Sequence, residues 1–103
     1  MAKGYWIGNG DVNDVEAYKK YIEANAEAFR EYGAKFLVRG GDGEIQEGSF
    51  KSRTVVLEFE SYEKALACYQ SDAYQKALSI RLPVADMNLL IVAGYDGPQP
   101  GDD

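Results

Sequence analysis

The chain has 103 residues, a mass of 11.4 kDa and a formal net charge of -6. That size suits one domain with its own core, and the acidic balance speaks against nucleic acid and against anionic membrane surfaces as partners. With no histidine and a single cysteine, Cys68, the sequence excludes His-based triads, the usual zinc sites, proximal-histidine haem and an intramolecular disulfide.

The expectation is a protein with no metal and no organic cofactor. Met-Ala-Lys-Gly-Tyr-Trp at the start has no apolar stretch of signal-peptide length. No run reaches the length of a membrane span, so the expected location is the cytoplasm.

Residues 3–9 predict a first strand, with Tyr5 and Ile7 on one face and Trp6 on the other, interrupted by Gly4 and Gly8. Asn13 stands three residues before Glu16 as a variant capping box, and a helical stripe follows: Val15, Tyr18, Ile22, Asn25/Ala26, Phe29 and Tyr32. Gly33 stops this helix. Residues 34–39 predict a second strand, broken by Gly40-Gly41-Asp42-Gly43, and residues 44–50 an irregular hairpin arm.

The run 53–60, Arg-Thr-Val-Val-Leu-Glu-Phe-Glu, is the longest clean β-segment in the middle of the chain. Thr54, Val56 and Glu58 share one face, and Arg53, Val55, Leu57 and Phe59 the other. Both faces carry apolar side chains, the mark of a strand covered on both sides. Ser61 caps a second helix with Tyr62, Ala65, Leu66 and Tyr69 inward, and Ser71-Asp72 restarts a helical turn bearing Tyr74, Ala77, Leu78 and Arg81. Pro83 closes it. Residues 87–95 predict the fourth strand.

These elements give an α+β class of ferredoxin-like βαββαβ type, a four-stranded antiparallel sheet with both helices on one face. The expected organisation is a single domain over 1–96 and a flexible tail over 97–103. Apolar side chains on the helix-free face predict a homodimer packed sheet on sheet. At about 25 cal/mol per Å², covering roughly 600 Å² per subunit supplies about 15 kcal/mol before the costs of association.

Several pieces occur in order: Met-Ala-Lys-Gly-Tyr-Trp-Ile at the start, Glu16-Ala-Tyr18, Asn25, Tyr32-Gly33, Phe36 through Gly41, Glu47-Gly48, Arg53-Thr-Val-Val, Glu58-Phe59 and Cys68 through Tyr74. Together they resemble the domain-of-unknown-function family 1330 over nearly the whole chain. The resemblance implies a dimeric α/β-barrel, in which two ferredoxin-like subunits pack sheet against sheet, with a pocket between sheet and helices. Relatives in that superfamily include cofactor-independent monooxygenases, muconolactone isomerases, dehalogenase-like proteins and haem enzymes. The fold thus implies no single reaction, and no catalytic residue is assigned.

Six side chains are candidates for a ligand site. Asn25 lies on an apolar helical stripe, where either a helix-to-sheet hydrogen bond or a ligand accounts for it. Arg39 and Arg53 end one strand and begin the next, so a hairpin brings both guanidinium groups to one sheet edge, either as a fork for a carboxylate or enolate oxygen or as partners of Glu58, Glu47 or the other subunit. Tyr18, Tyr69 and Tyr74 belong to a set of eight tyrosines, serving as core or as phenol donors to a polar aromatic or carbonyl ligand. Cys68 reads as buried filler and Gly40-Gly41-Asp42-Gly43 as turn geometry. Glu58 reads as an ion-pair member, or as a base if buried beside Arg53. The functional expectation is a cofactor-independent enzyme, monooxygenase- or isomerase-like, on a small aromatic or carbonyl ligand; the alternative is a non-catalytic binding or structural dimer module.

Overall fold

The backbone, a computed structural model, is described over residues 2–102. Met1 and Asp103, which the expected domain and tail include, lie outside the described residues. The elements are β1 (Gly4–Val12), α1 (Val15–Glu31), β2 (Lys35–Arg39), β3 (Arg53–Phe59), α2 (Tyr62–Gln70), α3 (Asp72–Arg81) and β4 (Ala85–Ala93). They form one sheet in the order β2-β3-β1-β4, every neighbouring pair antiparallel. The chain has the ferredoxin-like α+β fold.

The second helical segment is two helices because Ser71 is extended, at φ -67 and ψ 152. Its hydroxyl donates to the Cys68 carbonyl at 2.7 Å and accepts the Tyr74 N–H at 3.1 Å, closing α2 and opening α3 with one side chain. At the start of α1 the cap is Asp14, whose Oδ1 accepts the Ala17 N–H at 3.1 Å. The expected Asn13 falls one residue before the cap: its backbone N–H bonds the Val84 carbonyl at 2.8 Å and ties the β1 exit to the β4 entrance. Gly33, at φ +69, lets the chain turn out of α1.

Register sorts the side chains. Trp6 lies opposite Leu57 and Ile91, Gly8 opposite Val55 and Leu89, and Gly10 opposite Arg53 and Met87, all on the side the helices cover. Trp6 is the centre of this core, with ring centroids of Tyr74 at 4.8 Å and of Phe29 and Phe59 at 5.4 Å, and its indole N–H donates to the Ala65 carbonyl at 2.8 Å. On the helix-free side a second row, Val38, Val56, Ile7 and Leu90, crosses all four strands.

Three expectations are corrected. β4 runs two residues earlier than expected, because it pairs with the far end of β1, which itself continues to Val12. The arm over 44–50 forms no ladder; residues 41–50 are exposed and carry no regular structure. Their return to β3 is held by side chains instead: the Asn9 amide binds the Lys51 and Arg53 carbonyls and the Lys51 N–H, and Asp11 accepts from the Ser52 N–H and hydroxyl. Val15, expected on the apolar stripe of α1, is 63% exposed.

Candidate functional site

Helical spacing sets one wall of a cavity. Tyr18, Tyr21, Ile22, Asn25 and Phe29 recur every three or four residues, so α1 presents all five toward the sheet. The floor is Val55, Leu57, Met87 and Leu89 around Gly8, whose missing side chain leaves the space open. Arg39, Arg53, Arg81 and Tyr74 complete the lining. The unfilled volume is about 500 Å³ including the open mouth, but only about 40 Å³ admits the centres of water-sized molecules. That is room for a few waters, so an organic ligand needs the mouth or some side-chain movement.

Three of the four arginines in the sequence meet here, at graded depth. Arg39, at the end of β2, is exposed and lies over the Phe36 ring, 4.0 Å from its centroid. Arg53, at the start of β3, is half-buried; its guanidinium carbon is 5.8 Å from the Tyr18 centroid, and its head packs on Gly40. Gly40 has φ +67, which is what requires glycine there, and a Cβ at that position would push the guanidinium aside. Arg81, at the end of α3, is only 6% exposed and stands 5.6 Å from the Tyr21 centroid.

No aspartate or glutamate lines this cavity, although the chain carries 17 of them. Among the described residues the ion pairs are Lys3–Glu58, Lys19–Glu16, Lys51–Asp86 and Lys64–Glu60, none with an arginine. The Nε atoms of Arg53 and Arg81 are buried without a hydrogen-bond acceptor. A guanidinium stays charged at any ordinary pH, so leaving two of them short of acceptors is costly.

Beside Arg81 the Tyr21 and Tyr74 hydroxyls share a hydrogen bond of 2.7 Å. Burial pushes both phenols above their ordinary range; for Tyr21 the Tyr74 hydrogen bond and the Arg81 charge pull the other way. Neither phenol is a base near neutral pH. The group of donors offers hydrogen bonds and positive charge, and takes no proton.

Of the six candidates, Tyr18, Asn25, Arg39, Arg53 and Tyr74 share the cavity. Tyr69 is not part of its lining. Ala65 and Cys68 are the buried residues of α2, and the half-buried Tyr69 ring packs on Trp6 at 5.9 Å and Tyr74 at 5.4 Å, behind the wall. Glu58 is no neighbour of Arg53 in the cavity: it projects from the other face of β3, where it accepts from the Tyr5 hydroxyl at 2.9 Å and pairs with Lys3 at 3.4 Å. Tyr21 and Arg81 also line the cavity and are not among the six candidates. A charge on the buried stripe of α3, among Tyr74, Ala77 and Leu78, was the available signal for Arg81.

The family model described as "Domain of unknown function (DUF1330)" matches residues 3–95. The chain belongs to the DUF1330 family. No curated protein matches it. Among solved structures, this DUF1330 chain is similar to a protein of unknown function from Rhodopseudomonas palustris, at 15% identity and TM-score 0.72, covering 93% of this chain and 85% of that one. It is similar to a dimeric ferredoxin-like protein of unknown function from Thermobifida fusca, at 18% identity and TM-score 0.60, covering 89% and 91%. A cofactor-independent oxygenase from Streptomyces nogalater shares 7% identity at TM-score 0.62, with both chains fully covered. Identities this low establish the ferredoxin-like fold of the DUF1330 chain and no activity.

Proposed function

We propose that this DUF1330 protein is a small-molecule-binding homodimer whose cavity takes up a small organic anion with a flat aromatic or carbonyl-bearing body. The observation that carries the reading is the electrostatic composition of the cavity: three arginines, two of them with buried unpartnered Nε atoms, and no carboxylate. Tyr18, Tyr21, Phe29 and Phe36 add aromatic surface for the body of the ligand, and Asn25 adds an amide that is 5% exposed.

A second reading is catalysis on such a ligand without a cofactor, favoured by likeness to a cofactor-independent oxygenase. Arginine and phenol donors stabilise a developing enolate or phenolate oxygen. Because the lining supplies no imidazole or carboxylate base, such a substrate would have to arrive ionised, losing its proton to water, and its carbanion would then pass electrons to dioxygen. The dimer part of the reading rests on the apolar row across the helix-free face and on the dimeric description of the Thermobifida fusca protein.

Thermal unfolding against a panel of aromatic and aliphatic carboxylates and quinol-like phenolates tests the binding. A ligand that binds only the folded state raises the melting temperature by mass action. Arg53→Ala should weaken the best binder by about 1.5–3 kcal/mol, the range for charge-assisted hydrogen bonds, with little change in the unliganded melting temperature. If no compound shifts the transition while the arginine variant is plainly destabilised, the guanidinium is structural and the reading fails. Oxygen consumption with the best binder separates the catalytic reading from simple binding.

A further inference from the structure

We propose that the cavity has two separate anion positions, so that its ligand class is a small dianion such as a dicarboxylate; this rests on the anion-binding reading above. The first position is the mouth, where the hairpin edge brings Arg39, exposed, next to Arg53, half-buried. The second is deep, where Arg81 meets Tyr21 and Tyr74. Between them lie the Tyr18 and Tyr21 rings, with centroids 5.3 Å apart, one under Arg53 and the other under Arg81.

The deep position has its own donor surplus. Two phenols own two protons, and the 2.7 Å bond between Tyr21 and Tyr74 uses one of them. The other is left to meet the Asn25 amide or a ligand. The Arg81 Nε–H also has no acceptor, in a side chain that is 6% exposed. Phenols are poor counterions, since burial holds them protonated. A guanidinium in such surroundings is a charge short of its partner, and a carboxylate entering beside it would accept from Nε–H and from a phenol together.

The mouth and the deep arginine stand over different rings, so the lining offers an anion two places rather than one. A dianion with a short spacer can occupy both, and each end then gains a charge-assisted pair out of bulk water. A surplus of three cations over zero anions in one lining is also the charge balance such a ligand would correct.

The test is calorimetric titration of the wild-type protein with matched pairs: butyrate against succinate, valerate against glutarate, benzoate against phthalate. The proposal expects the dicarboxylate of at least one pair to bind ten-fold or more tightly than its monocarboxylate. Arg81→Gln should collapse that ratio toward one, while Arg81→Lys should keep part of it. Equal affinity within every pair overturns the two-position proposal and leaves the anion-binding reading standing. A preference that survives intact in Arg81→Gln overturns the placement of the deep position. Absence of binding by every carboxylate overturns the two-position proposal, and absence of binding by the phenolates as well overturns the anion-binding reading with it.

Discussion

A side chain that is absent shapes the cavity as much as those present. A Cβ built on Gly8 would meet Met87 Cε at 3.4 Å and Leu89 Cδ1 and the Val55 carbonyl at 3.8 Å, all ordinary contacts. Gly8→Ala should therefore raise stability by about 0.5–1 kcal/mol, the usual gain from removing glycine inside a strand, as read from urea unfolding. Gly8→Val should go further, filling the floor and abolishing ligand-dependent thermal shifts; retained binding would show that the ligand sits elsewhere. Cys68 gives a second prediction at this scale. Its thiol is fully buried, 3.9 Å from the Ala28 carbonyl, and desolvation with the nearby Glu31 charge pushes it up to about 12. A thiol reagent at pH 8 should leave it unmodified in the native protein and titrate one equivalent in denaturant. Rapid native labelling would mean that α2 opens readily.

At the scale of elements, the strands and helices were legible because their periods are clean: alternation in β3, three-and-four spacing in α1, and serines at both caps of the α2–α3 pair. What remained illegible was whatever depends on the neighbour across a gap. Asn13 and Asp14 are equally good caps by type; the structure uses Asp14, while the Asn13 backbone is tied to the Val84 carbonyl across the gap. Val15 has the right spacing but is the first residue of α1, where it stays 63% exposed. Likewise Tyr69 has the right spacing for an inward residue, yet the ring of Tyr74 on the next helix stands between it and the cavity. In the sheet, Tyr5 and Glu58 are directly opposed across β1 and β3. The hydrogen bond from Tyr5 is the main reason the Glu58 carboxyl lies below its ordinary range, with Lys3 adding to it. A lowered folded value means stability present above the ordinary carboxylate range and lost as pH falls through that lowered value. Glu58→Gln should therefore leave less to lose on acidification, flattening the urea-midpoint profile below about pH 5. The same bond raises Tyr5, whose contribution is present below the ordinary phenol range and lost as pH climbs through its raised value. An unchanged acid limb in Glu58→Gln would show the pair to be energetically idle.

The whole molecule is one sheet covered on one side, and the proposed assembly follows from the other side. Val38, Val56, Ile7 and Leu90 form a continuous apolar row from edge to edge, with Ile7 39%, Val38 40% and Leu90 58% exposed. Scattered apolar residues on a surface need no explanation, but a row spanning four strands does. The exposed chain over 41–50 adds Ile45 and Phe50, at 56% and 62% exposed, which line a groove with Val38. A second copy stacked on this face would cover the row, as sheets do in aligned sandwiches. Light scattering at micromolar concentration should then return about twice the 11.4 kDa chain mass. Register assigns the decisive variant: Val56 points to the helix-free side, whereas Val55 lies in the cavity. Val56→Asp would place an unpaired carboxylate in the centre of the covered row, at a cost of several kcal/mol per subunit, and should give monomer or aggregate. Val56→Thr, smaller in its penalty, should shift the dimer to higher dissociation concentrations without unfolding the monomer. A wild-type protein that stays monomeric and soluble at millimolar concentration would refute the assembly and leave the anion cavity to stand on the arginines alone.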